Sequence, residues 1–315
     1  MASTDSASST APAPPCADSS IRPLAAADLP GCLALSLSAG WNQNAADWRM
    51  MLALGEGWGI EGTAGDGSRS LAASIVAIPY GEAGDGAHAG DSGGCAWVSM
   101  VLVLPGFRRS GLAGRLLRHT LDWLKARGAT PVLDATPAGY PVYVQEGFAP
   151  TWGFRRYRRE AVIIDAAGGA PASPTRAVTP GDWPAIAAYD APAFGGNREG
   201  LLRALAGRMP QAARIAERGG RIAGFVFGRD GREACQVGPL LAEDPQIAQA
   251  LLDDVLDTVA MPVYVDLADR HQSLLPGLAA RGFVLQRPFT RMVHGATEAP
   301  GDPGRVVLVA GPELG

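Results

Sequence analysis

CAWVSMVLVLPGFRRSGLAGRLL, Cys95 to Leu117, sets an apolar run against a turn that holds two arginines, a serine and several glycines, and then opens a helix. A plain turn between a buried strand and a helix needs fewer special residues. A second stretch, CQVGPLLAEDPQIAQALL, Cys235 to Leu252, keeps the same interval from cysteine to proline. It reaches its paired leucines, Leu251–Leu252, five residues sooner after the proline than Leu116–Leu117 are reached. What it lacks is the Arg/Gly segment FRRSGLAG. A unit that folds without this segment does not need it for folding, which turns attention to binding.

The correspondence extends outward in both directions. IRPLAAADLPGCLALSLSAG, 21–40, and TRAVTPGDWPAIAAYD, 175–190, each read as a short strand and then a helix, with Asp28 and Asp182 as expected N-caps. A second helix follows Asn44 in one half and Asn197 in the other, and then strand-like runs separated by Gly/Asp turns. After the cysteine–proline run each half has an amphipathic helix, a strand (PVLDATP, PVYVDLAD), a helix ending in Gly-Phe, and a Phe/Arg-rich strand. FRRYRRE, 154–160, reads as a strand with one solvated basic face, in preference to a surface for an acidic substrate. The spacing predicts one α/β unit with a mixed sheet, used twice. The expected organisation is a disordered tail over 1–19, a unit over 20–165, an Ala/Gly/Pro linker over 166–174, a unit over 175–296 and a tail over 297–315. The apolar run RVVLVAG in that last tail reads as an edge strand or a frayed end.

The 315 residues suit two domains, and a net charge of −4 lacks the basic footprint of a nucleic-acid binder. Four scattered cysteines and four histidines form neither a disulfide framework nor a metal-ligand spacing, so no metal is expected. The N-terminus has no basic and then apolar order of a signal peptide, and no apolar run is long enough to span a membrane. The expected setting is the cytoplasm, as a monomer or homodimer.

Glycines at a helix start let a ligand approach the backbone, unpaired N–H groups and the helix dipole attract negative charge, and Arg108, Arg109 and Arg115 add full charges. The residues leave two readings open, a pyrophosphate site and a helix start with a solvated basic face. Neither G-x-x-x-x-G-K-[ST] nor G-x-G-x-x-G is present. RRSGLA, Arg108 to Ala113, resembles the [Q/R]-x-x-G-x-[G/A] loop of the GNAT N-acetyltransferase superfamily, and YVQEGF, Tyr143 to Phe148, resembles its Y-x-x-x-G-F segment. The chain is similar to tandem GNAT proteins with a degenerate second unit, for the second half lacks the loop and has Leu278 where Tyr143 would stand.

The resemblance implies acetyl-CoA, or another acyl-CoA, as donor. Arg108, Arg109, Ser110, Gly111, Leu112, Ala113 and Gly114 would hold its pyrophosphate, and Val101 and Val103 would pair with the pantetheine arm in a gap between splayed strands. Tyr143 would protonate the departing thiolate. Where some members carry a glutamate base this chain has Ser99, which could order a water; Asp47 and His88 are further candidates for the base. Trp41, Asn42, Gln43 and Asp47 would bind the acceptor, or else the tryptophans are core and Asn44 caps a helix. Phe194, Arg198 and Arg291 of the second unit could complete that pocket. The implied activity is N-acetylation of a small-molecule amine in a ternary complex. The alternatives are a protein-lysine acetyltransferase, a non-catalytic acyl-CoA sensor, and a scaffold that binds no coenzyme A.

Overall fold

The computed structural model describes residues 16–18, 20–64, 66–81, 94–163 and 175–315. The expected linker at 166–174 and His88 lie outside these residues. The first half begins with β1 (Cys16–Ala17), β2 (Arg22–Pro23), α1 (Leu29–Ser38) and α2 (Ala45–Leu54). It continues through β3 (Glu56–Thr63), β4 (Arg69–Tyr80), β5 (Cys95–Val103), α3 (Leu112–Lys125), β6 (Thr130–Ala135), α4 (Tyr140–Gln145) and β7 (Phe148–Arg159). The second half repeats the order from β2 onward. It runs through β8 (Thr175–Ala177), α5 (Trp183–Phe194), α6 (Glu199–Arg208), β9 (Arg214–Arg218), β10 (Arg221–Arg229) and β11 (Cys235–Ala242). It ends with α7 (Pro245–Leu256), β12 (Val263–Ala268), α8 (Leu275–Ala280), β13 (Val284–His294) and an added β14 (Val306–Leu308).

The repeat reaches individual side chains. Arg22 clasps Asp28 at 2.7 and 2.9 Å and also meets Glu61; Arg176 clasps Asp182 at 2.8 Å twice and also meets Glu217. Asp28 and Asp182 do not cap the helices that follow them, as the sequence suggested. Their carboxylates turn back to accept from the N–H groups of Ala25 (2.8 Å) and Thr179 (2.7 Å), because the short 3-10 turn before each helix brings those amides within reach. The arginine pairing holds both carboxyls below the ordinary range.

All the strands join one mixed sheet in the order β1-β3-β4-β5-β6-β13-β7-β12-β14-β11-β10-β9-β8, with β2 also on β3. The last strands of the two halves have changed places: β13 lies beside β6, and β7 beside β12. Two buried ion pairs fix the register of the exchanged strands. Arg156 of β7 binds Asp266, directly opposite on β12, at 2.8 and 2.7 Å; Arg291 of β13 binds Asp134, directly opposite on β6, at 2.9 and 3.0 Å. Between them Phe154 and Phe289 face each other across β7 and β13 and stack with centroids 4.9 Å apart. A slip of either strand would strand a charge in the core, at a cost of about 3–5 kcal/mol per broken pair. The solvated basic face expected for 154–160 is therefore corrected. Arg156 and Arg159 are buried, because β7 is an interior strand rather than an edge.

The two halves differ where parallel strands part. β5 and β6 pair only over Cys95–Trp97 with Thr130–Val132, then splay. β11 and β12 pair likewise over Cys235–Val237 with Val263–Val265, but β14 enters the gap and bonds to both. The C-terminal run is thus neither an edge nor frayed: Val306, Val307, Leu308, Val309 and Leu314 are all buried, since the gap offers ladder partners on both sides. At the other end, Cys16–Ala17 of the expected N-terminal tail pair with Gly62–Thr63. Leu308→Ala is expected to destabilise the protein by about 2–5 kcal/mol, as for other fully buried leucines. Urea denaturation checks this, and a midpoint equal to wild type would mean that β14 is not part of the core.

Candidate active site

α3 starts without a side-chain cap. Gly111 stands at its N-cap with φ +78°, a left-handed conformation that a glycine adopts freely, and the amides of the first helical turn have no intrahelical acceptor. Arg109, at φ +64°, shapes the same turn. A cavity of about 390 Å³ opens here. Val103, Phe107, Arg108, Arg109 and Gly111 to Gly114 line one side, and Arg118, Val142, Gln145 and Glu146 the other. Ser110 is drawn aside and donates to the Phe107 carbonyl. In the second half the corresponding helix, α7, is closed: Asp244 accepts from the Ile247 N–H at 2.9 Å.

Residues of β5 and α4 line both this cavity and a second one. The register of β5 on β4 slips so that Ile75 faces both Met100 and Val101, a bulge in which Met100 takes φ +53°. The Ser74 hydroxyl pins it by donating to the Met100 carbonyl at 2.9 Å. Val103 lines the first cavity and Val101 the second, so the strand forms a track between them. Tyr143 also lines the second cavity; its ring meets Phe148 edge-on at 6.0 Å, and Gly139 leaves room for it, since a Cβ there would come within 3.0 Å of the ring. Burial pushes the Tyr143 hydroxyl up to about 12. Among the described residues this hydroxyl makes no hydrogen bond.

The second cavity is narrow, with about 30 Å³ of free interior, room for about one water. It joins the halves. The first supplies Trp41, Asn42, Gln43, Ser99, Asp134 and Tyr143; the exchanged strands supply Arg156, Arg287 and Phe289; the C-terminal segment supplies Pro312 and Glu313. Among the described residues, three buried oxygens in this lining have no partner: Ser99 Oγ, Gln43 Oε1 and Glu313 Oε2. The other Glu313 oxygen binds Arg229 and accepts from Gln43 Nε2 at 2.8 Å. Burial alone would raise the Glu313 carboxyl, but Arg229, Arg156 and the Gln43 amide outweigh it and hold the group below its ordinary value.

Not every expected site residue meets here. Asp47 does not line the cavity. Its carboxylate accepts from the Asn44 N–H at 2.8 Å and binds Arg229 at 2.7 Å and also Arg208, which ties α2 to the second half. Asn44 caps α2, and Trp48 is core, its indole donating to Ser36 at 3.0 Å. Asn42 reaches the cavity, yet its side chain is taken up by the backbone of Glu233 (2.8 Å) and Ala234 (3.1 and 2.9 Å). Phe194 packs on Tyr80 and Trp97, Arg198 binds Asp190, and Arg291 binds Asp134, so all three support the core. Glu313, Arg287 and Arg156 were not foreseen. The one signal for Glu313 was the apolar run before it, which buries the segment and carries the glutamate inward.

Residues 53–148 match the acetyltransferase (GNAT) family model, and residues 186–307 match an acetyltransferase (GNAT) domain model. A curated relative, the uncharacterized N-acetyltransferase YitH of Bacillus subtilis, is 23% identical over 191 residues, which is 59% of this chain and 65% of that protein. The chain thus spans just under two thirds of that relative's length. Among solved structures, a Pyrococcus horikoshii protein assigned as an acetyltransferase superposes with a TM-score of 0.70 at 18% identity, covering 94% of this chain and 95% of its own. A GCN5-related N-acetyltransferase of Sphaerobacter thermophilus gives 0.60 at 19%, with 87% and 94% covered. A tandem GNAT protein from the clavulanic acid biosynthesis pathway gives 0.54 at 15%, with 87% and 97% covered. At these identities the solved structures speak to fold alone. The two family matches, one in each half, carry the membership: the chain belongs to the GNAT acetyltransferase superfamily, with two GNAT domains in tandem.

Proposed function

We propose that the protein transfers an acetyl group from acetyl-CoA to the amine of a small molecule, with the chemistry in the first domain. The observation that carries this reading is the pairing of an uncapped, left-handed Gly111 helix start with an open splay between β5 and β6. In the second domain both features are closed, the helix by Asp244 and the gap by β14. The amides from Arg109 to Gly114 are suited to the diphosphate, and the track from Val103 to Val101 to the pantetheine arm. Acetyl-CoA supplies the activated acyl group.

The residues of the chain then have three tasks. Backbone groups at the Met100–Val101 bulge stabilise the oxyanion that develops as the amine nitrogen bonds to the carbonyl carbon. Ser99 orders a water that takes the proton the amine loses. Tyr143 gives its proton to the thiolate as the carbon–sulfur bond breaks. A free alkylammonium has a pKa near 10.4, so the amine must shed a proton before it attacks.

The test is release of free CoA thiol from acetyl-CoA with a panel of small amines. A sensor would bind acetyl-CoA and turn nothing over; a scaffold would show no thermal shift with CoA. The pH profile adds a prediction. With its hydroxyl pushed up to about 12, Tyr143 stays protonated across the working range. kcat/KM should rise with pH as the acceptor amine deprotonates and should not fall below about pH 10. A descending limb between pH 8 and 10 would argue against Tyr143 as the acid.

A further inference from the structure

The second cavity carries buried polar atoms whose hydrogen-bonding capacity is not used up. Asp47, Asp230 and Glu313 form one connected cluster with Arg208 and Arg229, in which Asp230 is exposed and its charge is met by water, while the buried Asp47 and Glu313 are balanced by the two guanidiniums. Arg156 and Arg291 are each matched by their own aspartate. What Glu313 leaves open is a hydrogen-bond partner: its Oε2 lies on the cavity, buried and unpaired among the described residues. The two other unpaired oxygens of the lining, Gln43 Oε1 and Ser99 Oγ, also accept hydrogen bonds. Buried polar atoms without partners are uncommon, and three acceptors on one small cavity call for an N–H-rich group.

The same cavity also carries an open donor at Arg287. This half-buried guanidinium stacks on Phe289, has no carboxylate within salt-bridge distance among the described residues, and leaves its Nε buried and unpaired. Glu313 and Arg287 do not pair with each other, so a ligand carrying both charges would satisfy each. The free interior of about 30 Å³ has room for the ammonium head of such a molecule, and the half-buried Arg287 stays open to its carboxylate.

The C-terminal strand brings Glu313 here. β14 fills between β11 and β12 the gap that stays open between β5 and β6, and the chain leaves it through Val309, whose N–H donates to the Asp266 carbonyl at 3.1 Å, to reach Pro312 and Glu313. The strand that closes the second domain's gap also places a carboxylate in the first domain's cavity.

We propose that the acceptor is an amino carboxylate, its ammonium docked on Glu313 and Gln43 beside Ser99 and its carboxylate on Arg287, so that the second domain selects the substrate. This rests on the acetyl-transfer reading above. No new bond is involved; the residues bind and orient the amine that the transfer consumes.

The experiment compares the proteinogenic amino acids, each beside the amine that lacks its carboxylate, as acceptors with acetyl-CoA, read as CoA thiol release. At least one amino acid should be preferred over its decarboxylated partner by about tenfold or more in kcat/KM. Arg287→Gln should raise KM for that amino acid by about tenfold or more, with a smaller effect on the partner amine, and so erase most of the preference; Arg287→Lys should restore part of it. Among the described residues Arg287 makes no ion pair, and a thermal melt of each variant checks that the fold is kept. Glu313→Gln should lower kcat/KM for both acceptors alike. Equal use of both acceptors, an unchanged preference in Arg287→Gln, or no turnover of any member by protein that binds CoA, would overturn the inference and leave the CoA site standing. Failure of the wild-type protein to bind CoA in a thermal-shift measurement would remove the acetyl-transfer reading itself, and the inference with it.

Discussion

Gly111→Asp is expected to weaken CoA binding roughly a hundredfold while leaving the fold intact. Gly111 has φ +78° and nothing within 4 Å of where a Cβ would sit. Aspartate is among the residues that tolerate this conformation best, so the backbone strain is small. Its carboxylate lands where the first amides of α3 would meet a diphosphate. Two unit charges 4 Å apart repel by about 1 kcal/mol in bulk water and about 4 kcal/mol near a protein surface. At an exposed position, facing two phosphate charges, about 2–3 kcal/mol is a fair expectation, and that is roughly a hundredfold in Kd. Gly111→Asn has nearly the same shape and no charge, and should lose much less. Calorimetric titration of both variants separates charge from sterics; equal losses would mean that the glycine matters for its shape alone.

Tyr143→Phe is expected to lower kcat by about 10²- to 10⁴-fold, the range for loss of a positioned general acid. The change removes only a hydroxyl. The ring keeps its edge-on contact with Phe148, and the hydroxyl makes no hydrogen bond among the described residues, so thermal stability and CoA affinity should stay near wild type. Steady-state kinetics beside a CoA titration checks the split. A kcat within threefold of wild type would assign the thiolate's proton to water or another group.

Much of the fold was legible because two stretches of one chain could be compared. Equal cysteine-to-proline intervals, paired leucines and Gly-Phe turns recur in order, and the elements follow them, down to the Arg22–Asp28–Glu61 and Arg176–Asp182–Glu217 clusters. The strand exchange was not legible, for a physical reason. Each half carries an aspartate on the strand after its long helix and an arginine two residues past a phenylalanine on its last strand. Arg156 could meet Asp134 or Asp266 with the same local chemistry; only the packing of the whole sheet chooses Asp266. The position of β14 was hidden similarly. Pro and Gly around Val306–Leu308 suggested an exposed end, and the strand is central only because a gap between β11 and β12 awaits it.

At the candidate site, the loop from Arg108 to Gly114 was readable because its residue types are unusual for a plain turn, and Ser99, Tyr143, Trp41 and Gln43 do line one cavity. Asp47 looked like an acceptor ligand because it sits in a polar segment beside tryptophans. Its partners, Arg208 and Arg229, are more than 150 residues away in sequence, and no local pattern announces them. Glu313 is the converse: an ordinary residue in a Pro/Gly-rich end that long-range packing turns into part of a site.

Acetyl transfer by this chain depends most on the amides that open α3 gripping the diphosphate of coenzyme A. Isothermal titration of the full chain with CoA and, separately, with pantetheine, which has the thiol arm but no diphosphate, tests this directly. Saturable binding of CoA, with pantetheine weaker by roughly a hundredfold or more and the gap closing in Gly111→Asp, is the result predicted. Equal binding of the two ligands, or no binding of CoA at all, would contradict it.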